Sequence, residues 1–148
     1  MEITGEQRIA ADSDTVWRHL IDPDTLKACI PGCDRFTGTL EDGYEAVIKQ
    51  KVGPFPITVT VSLDVEVVSL PDRYRISAAG QGGFAGHGSG VADVTLIDAG
   101  GETVLRYTVD AKLGGRLSKL GQPIVTAFAA KLADRFFDRF GAVVAATA

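Results

Sequence analysis

With 148 residues, 45% hydrophobic and 23% charged, the chain is sized for one globular domain with a substantial core, which excludes disorder and a two-domain organisation. A net charge of −4 with no basic block argues against a nucleic-acid face; the cations are scattered, Lys49 with Lys51, Lys112 with Arg116, and Lys119. No stretch approaches 18 consecutive apolar residues, so no spanning helix is expected, and the first residues lack the basic start and apolar core of a signal peptide, which points to the cytoplasm.

Met1 to Ile9 alternates, with Ile3, Gly5, Gln7 and Ile9 on one side, and reads as a first strand. Asp12 and Ser13 are cap formers ahead of Val16, Trp17 and Leu20 at helical spacing. Asp22-Pro23 starts a second short helix, with Leu26 and Cys29 inward and Ile30-Pro31-Gly32 as its stop. Strands follow over Asp34–Leu40 and Tyr44–Val52, and Gly53-Pro54-Phe55-Pro56 breaks the second. Ile57 to Leu70 alternates most cleanly: Ile57, Val59, Val61, Leu63, Val65 and Val67 face one way, against Thr58, Thr60, Ser62, Asp64 and Glu66. Pro71-Asp72 turns into Arg73–Ala79; a Gly-rich passage leads to Val91–Ile97, and Thr103–Leu113 is the last strand, with Leu105, Tyr107, Val109, Ala111 and Leu113 inward.

A principal helix runs from Pro123 to Ala146, roughly 35 Å at about 1.5 Å per residue. Val125, Phe128, Ala129, Leu132, Phe136, Phe140 and Val143 share one face; Lys131, Asp134 and Asp138 lie opposite, and Phe137 falls off the stripe. An apolar face of that length needs a sheet to lie on. The fold class is α+β: one curved antiparallel sheet wrapped around the long C-terminal helix, in a single domain over residues 1–148.

Catalytic motifs are sparse. Gly80 to Ala85 matches G-x-G-x-x-A, but a strand rather than a helix follows, so a dinucleotide loop is rejected in favour of bulges and bends in a curved sheet. The glycines leave interior volume into which Phe84 and His87 can point. His87 has no nucleophile or carboxylate at a catalytic spacing, and His19, on a short helix, reads as solvated. Cys29 and Cys33 form C-x3-C without further ligands and read as small buried hydrophobes, so no metal is expected. No catalytic residue and no cofactor is assigned.

The order of elements and several local marks together resemble the carbon monoxide dehydrogenase CoxG family, within the START-like, helix-grip superfamily. The marks are Gly5-Glu6, Val16-Trp17, Asp22-Pro23 with Leu26, and Cys29-Ile30-Pro31-Gly32-Cys33. Val52-Gly53-Pro54, the Gly-rich strand, Gly114-Gly115-Arg116-Leu117, Leu120-Gly121 and Phe136-Phe137 complete the set. The resemblance covers nearly the whole chain. It implies a seven-stranded antiparallel sheet gripping the C-terminal helix, an apolar cavity between them, and work beside a molybdenum hydroxylase of the carbon monoxide dehydrogenase type. It also implies a role in membrane recruitment and in handling that enzyme's quinone acceptor. Longer members carry a membrane-attaching C-terminal extension, whereas this sequence stops at Ala148; a transient membrane contact, peripheral at the inner face, is the expectation.

The leading expectation is therefore a non-enzymatic carrier of a hydrophobic small molecule, a quinone or isoprenoid-like lipid. Strand parity selects Val59, Val61, Ile76 and Leu105 as lining, and helix phase selects Phe128 and Leu132. Leu120 and Ile124 depend on how the helix enters, and Phe84 comes from the Gly-rich passage. His87, Tyr107 or Gln50 would orient a ring carbonyl. One alternative is a docking or assembly protein without a ligand, with Phe55 and Phe137 as contact points. Another is a cyclase- or hydrolase-like enzyme, which would need a buried acid–base pair around His87.

Overall fold

Both short helices start where aspartate can accept from an orphan N–H. In the computed structural model, which describes residues 1–52, 54–69 and 72–147, Asp12 caps α1 (Ser13–Leu20) by accepting from the Thr15 N–H at 2.7 Å. The Thr15 side chain first, and then that N–H bond, hold the Asp12 carboxyl below its ordinary range. Asp22 caps α2 (Pro23–Cys29), accepting from both the N–H and the hydroxyl of Thr25, the latter at 2.7 Å. Proline occupies the first turn of α2, where its missing N–H leaves no bond unmade. Asp22→Ala is expected to cost about 1 kcal/mol of unfolding free energy, read from a urea midpoint shift at unchanged slope.

The seven strands are β1 (Glu2–Ile9), β2 (Cys33–Thr39), β3 (Gly43–Val52), β4 (Phe55–Ser69), β5 (Arg73–Gln81), β6 (His87–Asp98) and β7 (Thr103–Gly114). Their order across one sheet is β1-β7-β6-β5-β4-β3-β2, every neighbour antiparallel. From β2 onward each strand follows its predecessor, and β1 closes the far side by pairing Glu2 with Asp110 through Ile9 with Thr103. The alternation expected in β4 and β7 holds: Thr58, Thr60 and Glu66, like Arg106 and Thr108, are exposed, and their neighbours are covered.

Two stretches differ from the sequence expectation. Phe55 and Pro56 extend β4, pairing with Val52 and Lys51, because proline is tolerated near a strand's first residue. Gly53, Leu70 and Pro71, which belong to the expected turns, lie outside the described residues. The Gly-rich passage carries no bulge: β5 and β6 stay in register from Arg73–Thr95 to Gln81–His87, joined over a one-turn 3-10 helix at Gly83–Ala85. The missing side chains are compensated by neighbours. A Cβ on Gly80 would lie 2.9 Å from Val59 Cγ1, and one on Gly88 3.0 Å from Leu113 Cδ2. The glycines therefore seat adjacent side chains instead of opening volume.

A second 3-10 segment, Gly115–Lys119, leads to α3 (Gln122–Thr147). The C-terminal half of α3 is its anchor: Phe140 and Val144 are fully buried with Val16 of α1, Cys29 of α2, and Tyr74, Leu96 and Leu105 of the sheet. A second, smaller cluster of Phe36, Tyr44 and Ala46 forms on β2 and β3, with Leu26, Ile30 and Ile48 against it. The Tyr44 hydroxyl donates to the Ile21 carbonyl at 2.7 Å and ties this cluster to the helical segment. Space remains between the two clusters.

Candidate functional site

That space is an apolar cavity of about 520 Å³ between the concave face of the sheet and α3. Its size falls within the roughly 300–1,000 Å³ of small-molecule sites. Leu63, Val65 and Ile76 form part of the sheet wall, Leu26 and Ile30 come from the α2 corner, and Phe128, Leu132 and Phe136 come from α3. Among the described residues, the lining contains no carboxylate, histidine or cationic side chain. Its titratable groups are three phenols, all pushed up by burial. Tyr74 is raised to about 12 by burial, then by Asp72 and Asp14; Tyr44 is raised by burial, then by Asp22 and Glu41; Tyr107 is raised by burial, then by Asp134. At neutral pH the lining is uncharged.

Aromatic contacts fix the walls. Trp17, the single tryptophan, stacks on Tyr74 with centroids 3.9 Å apart and planes within 2°. Tyr107 stacks on Phe137 at 5.9 Å, and Phe137 meets Phe136 edge-on at 5.0 Å. The Tyr107 ring crosses Gly5 on β1 so closely that a Cβ there would collide with the phenol, which is why glycine stands at that position. Among the described residues the Tyr107 hydroxyl makes no hydrogen bond, whereas that of Tyr44 is committed to Ile21. Tyr107 is thus a donor left available on the cavity wall.

Of the residues selected from the sequence, Ile76, Leu105, Tyr107, Phe128 and Leu132 line the cavity. Val59 and Val61 face the correct side of β4 but lie toward its start, where Val59 covers Gly80, and neither is among the lining. Phe84 does not point inward: it is 81% exposed on the β5–β6 turn, with the Arg116 guanidinium 3.8 Å from its ring centroid. His87 is also exposed, its ring lying over Gly114 of the paired strand. Leu120, before α3, and Ile124, 43% exposed in its first turn, lie outside the lining.

Phe137, expected off the buried stripe as a contact point, is half-buried on the cavity wall instead; α3 is covered over a wider arc than a narrow stripe, with Ala133 and Phe137 joining it. The side chain of Phe55 lies outside the described residues. His19 is half-buried rather than fully solvated: its Nδ1 lies 3.3 Å from the Thr25 hydroxyl and its ring meets Phe140 edge-on. Cys29 and Cys33 are free thiols, both pushed up by burial, and the Cys33 thiol donates to the Arg35 carbonyl. Among the described residues no group of three or more His, Cys, Asp or Glu side chains is placed to hold a metal.

Trp17, Tyr44, Tyr74 and Phe36 are wall residues that sequence reasoning missed. Parity shows which face a strand residue takes, but which inward residue borders empty space depends on how far α3 stands off the sheet. Among the described residues no helix is long and apolar enough to cross a membrane.

The same architecture occurs in known proteins. A conserved protein from Geobacillus kaustophilus matches with a TM-score of 0.92 and 25% identity, over 99% of this chain and 97% of that one. A START superfamily protein from Mycobacterium smegmatis matches with a TM-score of 0.74 and 11% identity, over 99% of both chains. Norcoclaurine synthase from Thalictrum flavum, in complex with dopamine and hydroxybenzaldehyde, matches with a TM-score of 0.62 and 16% identity, over 97% of this chain and 86% of that one. No curated protein sequence matches. The model of the carbon monoxide dehydrogenase CoxG family matches residues 5–145, so the chain belongs to that family, on a START-like fold.

Proposed function

We propose that the protein is a non-catalytic carrier of a hydrophobic small molecule, a quinone or isoprenoid-like lipid, held between the sheet and α3. The observation that carries this reading is the 520 Å³ cavity walled by apolar and aromatic side chains. Apolar ligand surface gains about 25 cal/mol per Å² on entering such a space. The free Tyr107 hydroxyl suits the single polar demand of a ring carbonyl. An enzyme of the norcoclaurine synthase kind is disfavoured by the wall chemistry: three neutral phenols supply no base near pH 7. The family supports a partnership with a molybdenum hydroxylase of the carbon monoxide dehydrogenase type, to which the carrier would bring its acceptor in peripheral contact with the membrane.

Trp17 on the wall supplies the test. Titration with decylubiquinone is expected to quench its emission to saturation at one equivalent and to raise the melting temperature. An organic extract of protein purified from its own host should contain a stoichiometric quinone or lipid by mass spectrometry. Linear, unsaturating quenching with an unchanged melting temperature and a clean extract would sink the carrier reading. It would favour docking without a ligand, for which the exposed Phe84 beside Arg116 is the contact point.

A further inference from the structure

Beside the cavity lies a groove of opposite character. Its lining is Lys49, Gln50 and Lys51 at the end of β3, Pro31 and Gly32 at the α2–β2 corner, and Phe128, Lys131, Leu132 and Arg135 on α3. Pro31, Phe128 and Leu132 also line the cavity, so the two spaces meet along these three residues. The corner is pinned: the Lys49 N–H donates to the Gly32 carbonyl at 2.8 Å, and the Gln50 amide donates to the Pro31 carbonyl.

Among the described residues the groove holds four cations and no carboxylate. In a chain of net charge −4, general basicity does not explain this concentration. The contributing segments are themselves acid-free, with no Asp or Glu between Glu45 and Asp64 or between Asp110 and Asp134. Lys49 is paired with Asp34 at 3.1 Å, but among the described residues Lys51, Lys131 and Arg135 have no ion pair. Lys131 and Arg135 stand four residues apart on one helix, a like-charge spacing that weakens the helix unless an anion offsets it.

We propose that the groove receives an anionic head group, phosphate or carboxylate, of an amphiphile whose apolar chain occupies the cavity. The proposal rests on the carrier reading and narrows its cargo. An anion cannot follow the chain inward: the lining offers no counter-charge, and burying an unpaired charge there is prohibitive. At the junction, the head meets Lys51, Lys131 and Arg135 while the chain passes Phe128 and Leu132.

Farnesyl phosphate, farnesol and inorganic phosphate separate the components, with binding followed by Trp17 emission and calorimetry. Farnesyl phosphate is expected to bind roughly tenfold tighter than farnesol, an advantage that shrinks in 1 M salt as screening shortens to about 3 Å. In Lys131→Gln/Arg135→Gln, the advantage should vanish while farnesol affinity stays unchanged and the ligand-free melting temperature does not fall, the like-charge repulsion having been removed. Equal affinity for the two compounds, or an advantage that survives in the variant, overturns the head-group site and leaves the carrier reading standing. Inorganic phosphate binding as tightly as farnesyl phosphate would also overturn it, because the groove would then be a free-anion site. Failure of both farnesyl compounds to bind refutes the cavity reading itself.

Discussion

Ala133→Phe is expected to weaken decylubiquinone binding by about 100-fold without lowering the melting temperature. Ala133 lies on the cavity wall one helical turn from Ala129, which also lines it, and both are small where α3 faces the void. A phenyl group there occupies space the ligand needs. Excluding roughly 110 Å² of ligand contact at about 25 cal/mol per Å² loses about 2.7 kcal/mol, a factor of about 100. Insertion into a close-packed core would cost about 1–3 kcal/mol of stability, but here the ring enters empty volume. The decisive measurement pairs a binding titration with a thermal melt. Unchanged affinity in a variant that melts normally would place the ligand elsewhere.

Phe140→Ala is expected to have the opposite profile, a large loss of stability. Phe140 is 0% exposed, stacks on Phe136 at 5.6 Å, meets Phe137 edge-on at 6.5 Å and meets the His19 ring at 6.4 Å. Its removal leaves a hole at the point where α1, α2 and the sheet share α3, at a cost of about 3–5 kcal/mol. For a chain of this length that lowers the melting temperature by roughly 6–20 °C. Phe128→Ala tests the contrast. Phe128 is half-buried beside the void, so its truncation removes fewer packing contacts and should act on binding more than on folding. Equal destabilisation by the two truncations would show that α3 is held uniformly along its length.

This division of α3 accounts for how one helix serves stability and binding together. Phe140 and Val144 in its later half anchor it, while Phe128, Leu132 and Ala133 face the cavity. Lys131 and Arg135 stand between these faces and the solvent at the groove. Neutral phenols inside and unpaired cations at the edge divide the space into an apolar interior and a polar mouth. Ligand orientation can follow from that division without any acid–base chemistry.

The antiparallel order was legible in the sequence because a half-buried strand must alternate, and Ile57 to Val67 of β4 and Leu105 to Leu113 of β7 do so. Asp12 and Asp22 announced their helices because few side chains can accept from a helix's first N–H groups. Ile76 and Leu105, which strand parity turned inward, and Phe128 and Leu132, which helix phase turned inward, border the cavity. The Gly-rich passage misled, since absent side chains suggested volume for Phe84 and His87, whereas Val59 and Leu113 filled it from adjoining strands.

What the sequence determined by itself was local and periodic: which residues turn, cap, alternate and face inward. The tertiary structure alone decided where inward-facing residues meet one another and where they meet empty space. It turned Phe137 onto Tyr107 and brought Lys49 and Lys51, scattered in the chain, beside Lys131 and Arg135. The physical reason is that periodicity specifies a direction from the backbone, whereas a cavity or a charged mouth is set by the distance between elements far apart in the chain.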